Sequence, residues 1–204
     1  MIVTLLLTAV TFAVSMSVFN HRDLGLSLAM WPSLVHRKHQ YYRFITYGFV
    51  HADMQHLLFN MITLFFFGAA LEPLLGARIG PLGFGVFYLS ALVVSILPSY
   101  LKHRRDPQYL GIGASGAVSA VLFAFIMFQP WAMIYVFFIL PIPAVVFAVL
   151  YVAYSIYMDR RGKDNINHSA HLWGAAYGVL VTLVATPDVL QSFLGQLLHP
   201  GFAY

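Results

Sequence analysis

The chain has 204 residues, 60% of them hydrophobic and only 9% charged, with a mean hydropathy of +0.79. A soluble domain carries about 25% charged residues and is roughly half apolar, so too few ionisable side chains remain here to cover a water-facing surface. An ordinary soluble globule and a disordered chain are excluded, which leaves a protein solvated by lipid. Cysteine is absent, which removes a disulfide framework, a thiolate metal site and a cysteine nucleophile. The net charge of +4 does not indicate a nucleic-acid partner, because the cations sit in short loops between apolar stretches, where they read as topology signals.

A spanning helix needs about 20 predominantly apolar residues. The gaps between charged clusters predict an all-α, polytopic membrane protein with six transmembrane helices in one domain over 1–204. Residues 1–20 form the first span. They lack a basic leader and exceed a typical signal-peptide core, so a retained helix is expected. The longest connection, 21–43, mixes Trp31, Tyr41 and Tyr42 with cations, a composition suited to the headgroup layer. Spans two and three cover 54–71 and 79–101. The uncharged run Tyr109–Met158 is too long for one crossing, and Gln129-Pro130 divides it into 110–128 and 131–157, the latter bent near Pro141 and Pro143. A sixth span covers 166–187, and 189–198 suits a short interfacial helix. No repeat or low-complexity tract is visible. Loops one, three and five hold every cation except Arg78, so the charge bias puts them in the cytoplasm and the N-terminus outside.

Spans two, four and six all start from the odd-loop side, and each is polar near that end. Span two carries His51, Asp53, His56 and Asn60; span four carries Gly113-Ala114-Ser115-Gly116; span six carries His168, Ser169 and His171. At about 1.5 Å per residue, Ser115 and His171 are expected at similar depth, where polar groups usually face a bundle interior or a wet cavity. Small residues at a spacing of four, Gly116, Ala120 and Ala124 against Ala170, Gly174 and Gly178, allow spans four and six to approach closely. Packed as parallel neighbours, these stripes set Ser115 beside His171, the minimum machinery for nucleophilic catalysis. His56 and Asn60, four apart on one helix face, are uncharged donors suited to an oxyanion.

Taken singly, each feature has a plainer reading. A serine in a membrane helix bonds back to its own backbone, a histidine near the interface packs, and small-residue stripes are helix glue. The four histidines also invite a metal reading, although no His-Glu-x-x-His helix is present. Arg43 and Glu72 read as structural, Glu72 and Arg78 as holding the short loop after span two. Nucleophile, base and donors converging from three helices at one level favour catalysis.

This constellation resembles the rhomboid family of intramembrane serine proteases. The matching pieces are Tyr42-Arg43, the segment His51 to Asn60 reading HADMQHLLFN, Gly113 to Gly116 reading GASG, and Ala170-His171 followed by Gly174 and Gly178. The resemblance implies a six-helix bundle of the bacterial type, with Ser115 as nucleophile, His171 as general base, and His56 and Asn60 as oxyanion donors. It implies transmembrane protein substrates, residence in the cell membrane's lipid bilayer, and no cofactor or metal. It specifies no oligomeric state. Two departures stand out. Ser119 occupies the position where some members carry a tyrosine packed on the histidine, so another group must pack on His171. The resemblance also opens the site away from the cytoplasm, against the charge bias. A non-catalytic relative that binds transmembrane helices for quality control or trafficking is the alternative, and a histidine-lined transporter or channel a third reading.

Overall fold

In the computed structural model the described residues are 1–162 and 164–199. Lys163, counted above among the loop cations, and the end of the expected 1–204 domain lie outside them. The first helix, α1 (Ile2–Asn20), shows what lipid does to burial. Its buried residues are Thr4, Thr11 and Ser15, while Leu5, Leu6 and Val10 are exposed. That inverts the pattern of a water-soluble helix, because apolar side chains lose nothing by facing lipid and hydroxyls need partners inside.

The long first connection is not a plain loop. It folds into α2 (Arg22–Leu28), α3 (Pro32–Lys38), α4 (Arg43–Thr46) and a 3-10 turn at Tyr47–Phe49. Arg43 organises it: Nε donates to Gln40 Oε1 at 2.7 Å and Nη1 donates to the Leu26 and Ala29 carbonyls. Burial pulls this guanidinium's pKa down from its ordinary value, while three oxygen acceptors take up three of its five N–H donors.

Span two is longer than expected. α5 (Met54–Ile79) runs through Pro73, so Glu72 lies inside the helix and does not hold the following loop. Instead it caps α1, accepting from Val3 N–H, Thr4 N–H and the Thr4 hydroxyl, donors that a helix N-terminus leaves unpaired. The third span, α6 (Gly83–His103), starts later in consequence. The fourth, α7 (Ser115–Phe128), starts at the serine itself rather than at residue 110.

Residues 131–143, expected as the first half of a bent helix, form an antiparallel hairpin of β1 (Met133–Val136) and β2 (Leu140–Pro143). Pro141 and Pro143 forbid continuous helix. They face Tyr135 and Met133, alternate positions whose N–H groups point away from the partner strand, so the ladder loses nothing. Phe137 and Phe138 turn the tip with φ of 52° and 60°, and the Phe137 ring meets Phe59 of α5 edge-on.

α8 (Ala144–Arg161) follows, then α9 (His168–Ala185) and α10 (Val189–Leu198), which turns from α9 by 111°. The expected helix at 189–198 is present, and Gln196 ties it to the foot of α7 through Phe128 O. Among the described residues, α1, α5 and α6 are long and apolar enough to cross a membrane by themselves; α9 and α10 meet that measure together, and α7 is apolar but shorter. The chain is a mostly helical, multi-pass membrane protein. Its core centres on α7, every residue of which from Gly116 to Ala124 is buried.

Candidate active site

Three glycines and an alanine set the central contact. A Cβ placed on Gly174 would overlap the carbonyl oxygen of Gly116, and one on Gly178 would overlap that of Ala120. The small-residue stripes therefore bring the backbones of α7 and α9 into direct contact. His171, one turn before Gly174, falls beside the first residue of α7, and its Nε2 lies 2.8 Å from Ser115 Oγ. In the tautomer that leaves Nε2 unprotonated, this nitrogen accepts the serine proton.

The segment before Ser115 is fastened on three sides. Gly111 pairs with Met30 through both backbone bonds at 2.9 Å, Gly113 N–H donates to Tyr47 O at 3.0 Å, and Ala114 N–H donates to His51 Nε2 at 3.4 Å. Gly113 has a φ of 109°, a left-handed conformation that glycine adopts without strain. A side chain there would also fall 2.7 Å from Cε1 of His56. Val118 N–H closes the first helical bond, to Ala114 O, so the N–H groups of Ser115, Gly116 and Ala117 have no acceptor within α7. They gather at the Ser115 end of the helix, where negative charge is favoured.

His56 rests against this turn, with its ring beside Gly113. Asn60 does something more local: its Nδ2 donates to the His56 carbonyl at 2.9 Å, leaving one amide hydrogen outside that bond. Asp53 caps α5 through the His56 N–H. His51 is a structural link. Its Nε2 accepts from Ala114, which fixes the proton on Nδ1, facing Ser15 Oγ at 2.9 Å; the Ser15 hydroxyl in turn donates to Phe49 O. Burial, then the neighbouring His56, push the His51 imidazole pKa down to about 3, so it is neutral at physiological pH. Its ring meets His56 edge-on at 4.8 Å.

At the start of α9, Asn167 caps the helix by accepting from Ala170 N–H and donates to Ser99 Oγ and Tyr109 OH. It anchors the turn that carries His171 to α6 and to the loop before α7. His168 Nε2 donates to Asp164 Oδ2 at 3.1 Å, which holds that carboxyl below its ordinary pKa. Asp164 is thus engaged by His168 rather than by His171. Tyr151 of α8 lies near-parallel to the His171 ring, tilted by 26° with centroids 6.0 Å apart, and fills the place left by Ser119.

Sequence reasoning missed Asn167 and Tyr151. Asn167 carries a readable signal, an N-cap residue immediately before the polar-ended span. Tyr151 carries none, because nothing in its own helix distinguishes it from Tyr154 or Tyr157.

The Rhomboid domain family matches residues 38–187. RHOMBOID-like protein 12, mitochondrial, of Arabidopsis thaliana is 36% identical over 147 residues, which cover 67% of this chain and 44% of that protein. The chain thus spans under half the length of this relative. The family is one of intramembrane serine proteases with some inactive members. With most of its length matched, from the first loop to the last long helix, this multi-pass membrane protein belongs to the rhomboid domain family.

Proposed function

We propose that the chain is an intramembrane serine endopeptidase that cuts transmembrane segments of other proteins within the lipid bilayer of the cell membrane. The reading takes 1–204 as one domain of six membrane-crossing helices. Ser115 Oγ attacks the scissile carbonyl carbon while its proton passes to His171 Nε2. The tetrahedral oxyanion is held by the free N–H groups at the start of α7 together with His56 and Asn60. The C–N bond then breaks, His171 returns the proton to the leaving amine, and water attacks the acyl-serine by the same route reversed. The chemistry calls for no metal or cofactor, and the partners are membrane protein substrates rather than nucleic acid.

The observation that carries this reading is the 2.8 Å approach of Ser115 Oγ to His171 Nε2 across two helices in backbone contact. A helix-binding protein without catalysis needs neither residue. The test is labelling by a fluorophosphonate probe together with cleavage of a transmembrane reporter, for wild type, Ser115→Ala and His171→Ala. Labelling and cleavage lost in both variants, with folding retained, is the expected result. Cleavage surviving Ser115→Ala refutes it, and client binding without processing establishes the non-catalytic alternative. Membrane fractionation checks the assigned membrane.

A further inference from the structure

Tyr151 reaches the dyad from α8, the third helix to touch it. Its hydroxyl lies 2.6 Å from Ser119 Oγ, and Ser119 Oγ lies 2.7 Å from the carbonyl oxygen of Ser115. A serine hydroxyl has one hydrogen to give. Ser119 gives it to Ser115 O, a carbonyl that can only accept, so the Tyr151 O–H is the donor to Ser119. The contacts close a ring: Ser115 carbonyl, Ser119, Tyr151, the His171 imidazole, and back to the Ser115 hydroxyl.

We infer that Tyr151 is a positioning residue for His171 and that Ser119 fixes it there, so that the geometry of the dyad depends on the seating of α8. The inference rests on the catalytic reading above. In a triad a carboxylate holds the imidazole in orientation; here the nearby acid, Asp164, is bound to His168. The His171 ring is oriented by packing, with His168 edge-on at 5.7 Å and Tyr151 near-parallel. Phe123 of α7 and Phe147 brace the Tyr151 ring in turn.

α8 is the loosely held member of this arrangement. Its buried residues are Ala144 and Ser155 alone, and Val149, Leu150 and Tyr154, which flank Tyr151, are all more than half exposed. Outward movement of α8 would withdraw the tyrosine ring and free the imidazole to rotate away from Ser115 Oγ. The site therefore couples the position of one peripheral helix to the alignment of a proton transfer in the centre.

The experiment compares the full chain in lipid nanodiscs with Tyr151→Leu, Tyr151→Phe, Ser119→Ala and the Tyr151→Phe/Ser119→Ala double variant. It measures kcat and KM on a transmembrane reporter, the fluorophosphonate labelling rate, and the thermal midpoint. Tyr151→Leu is expected to lower kcat and labelling by about tenfold or more, with KM unchanged, as imperfect alignment of a base does. Tyr151→Phe keeps the ring and restores most of that loss. The double variant does no more than Ser119→Ala alone, since both single changes remove the Tyr151–Ser119 hydrogen bond and Ser119→Ala also removes the bond to Ser115 O. Labelling of folded Tyr151→Leu at the wild-type rate overturns the inference, as do equal losses in the Leu and Phe variants. Should Tyr151→Leu fail to fold, additive effects of Tyr151→Phe and Ser119→Ala overturn it. A wild type that neither labels nor cleaves removes the catalytic reading itself, which separates the two failures.

Discussion

Replacing Gly174 by alanine probes the contact on which the dyad depends. The new methyl would sit 2.8 Å from the carbonyl carbon of Gly116 and overlap its oxygen. Carbon atoms rest at about 3.5–4.0 Å, so α7 and α9 must separate there by about 1 Å. No side-chain rotation can relieve the clash, because both partners are backbone. His171 lies one turn away on the same helix and moves with it, so its 2.8 Å contact to Ser115 would stretch to about 3.8 Å, beyond hydrogen-bond range. Overpacking of this kind costs about 1–3 kcal/mol of stability, and a displacement of about 1 Å in reacting groups costs about 100-fold in rate. Thermal unfolding in nanodiscs and the rate of Ser115-directed labelling read the two effects separately. Gly76→Ala serves as control: nothing lies within 4 Å of a Cβ there, and a helix-interior Gly→Ala gains about 0.5–1 kcal/mol. Gly174→Ala labelled at the wild-type rate with an unshifted midpoint would refute the packing argument.

Asn167→Ala removes a helix cap worth about 1 kcal/mol and two further hydrogen bonds, to Ser99 and Tyr109. A lower thermal midpoint and slower labelling are expected, with Asn167→Asp, which keeps the cap, in between; a midpoint equal to wild type in the alanine variant contradicts this role. His51 predicts a pH effect. Its pKa falls from an ordinary 6.5 to about 3 in the fold, so the unfolded chain binds the proton first. The stabilisation from neutral His51 is whole above about pH 6.5 and is lost as pH falls toward 3, by up to about 1.4 kcal/mol per unit. Thermal midpoints of wild type and His51→Gln should converge over that range, and parallel curves would exclude the effect.

The approach of Ser115 to His171 was legible because its determinants are local. Gly116, Ala120, Gly174 and Gly178 advertise a close helix pair from their spacing alone, and Ser115 and His171 adjoin those stripes. Helix ends were less so. Residues 110–114 are as apolar as the helix they precede, and only their pairing with Met30, Tyr47 and His51, all distant in sequence, keeps them extended. The charge at Glu72 suggested a boundary at residue 71, yet α5 continues through it and through Pro73 because Glu72 has donors from α1 to satisfy it. The hairpin was hidden for a related reason. The run from Met133 to Pro143 is uncharged and rich in β-branched and aromatic residues, and hydropathy does not separate such a strand pair from helix. Pro141 and Pro143, two apart, were the available clue. Tyr151 and Ser119 belong to contacts between helices whose relative rotation no pattern along one chain encodes.

The shortness of α7 has a consequence for depth. Its 14 residues make a rod of about 21 Å, against a hydrocarbon layer of about 30 Å. Ser115 stands at one end of that rod, and the segment just before it is fixed to Met30, Tyr47 and His51. The depth of Ser115 is therefore set by the protein's own packing, and a thicker membrane would extend further beyond it without altering its contact with His171.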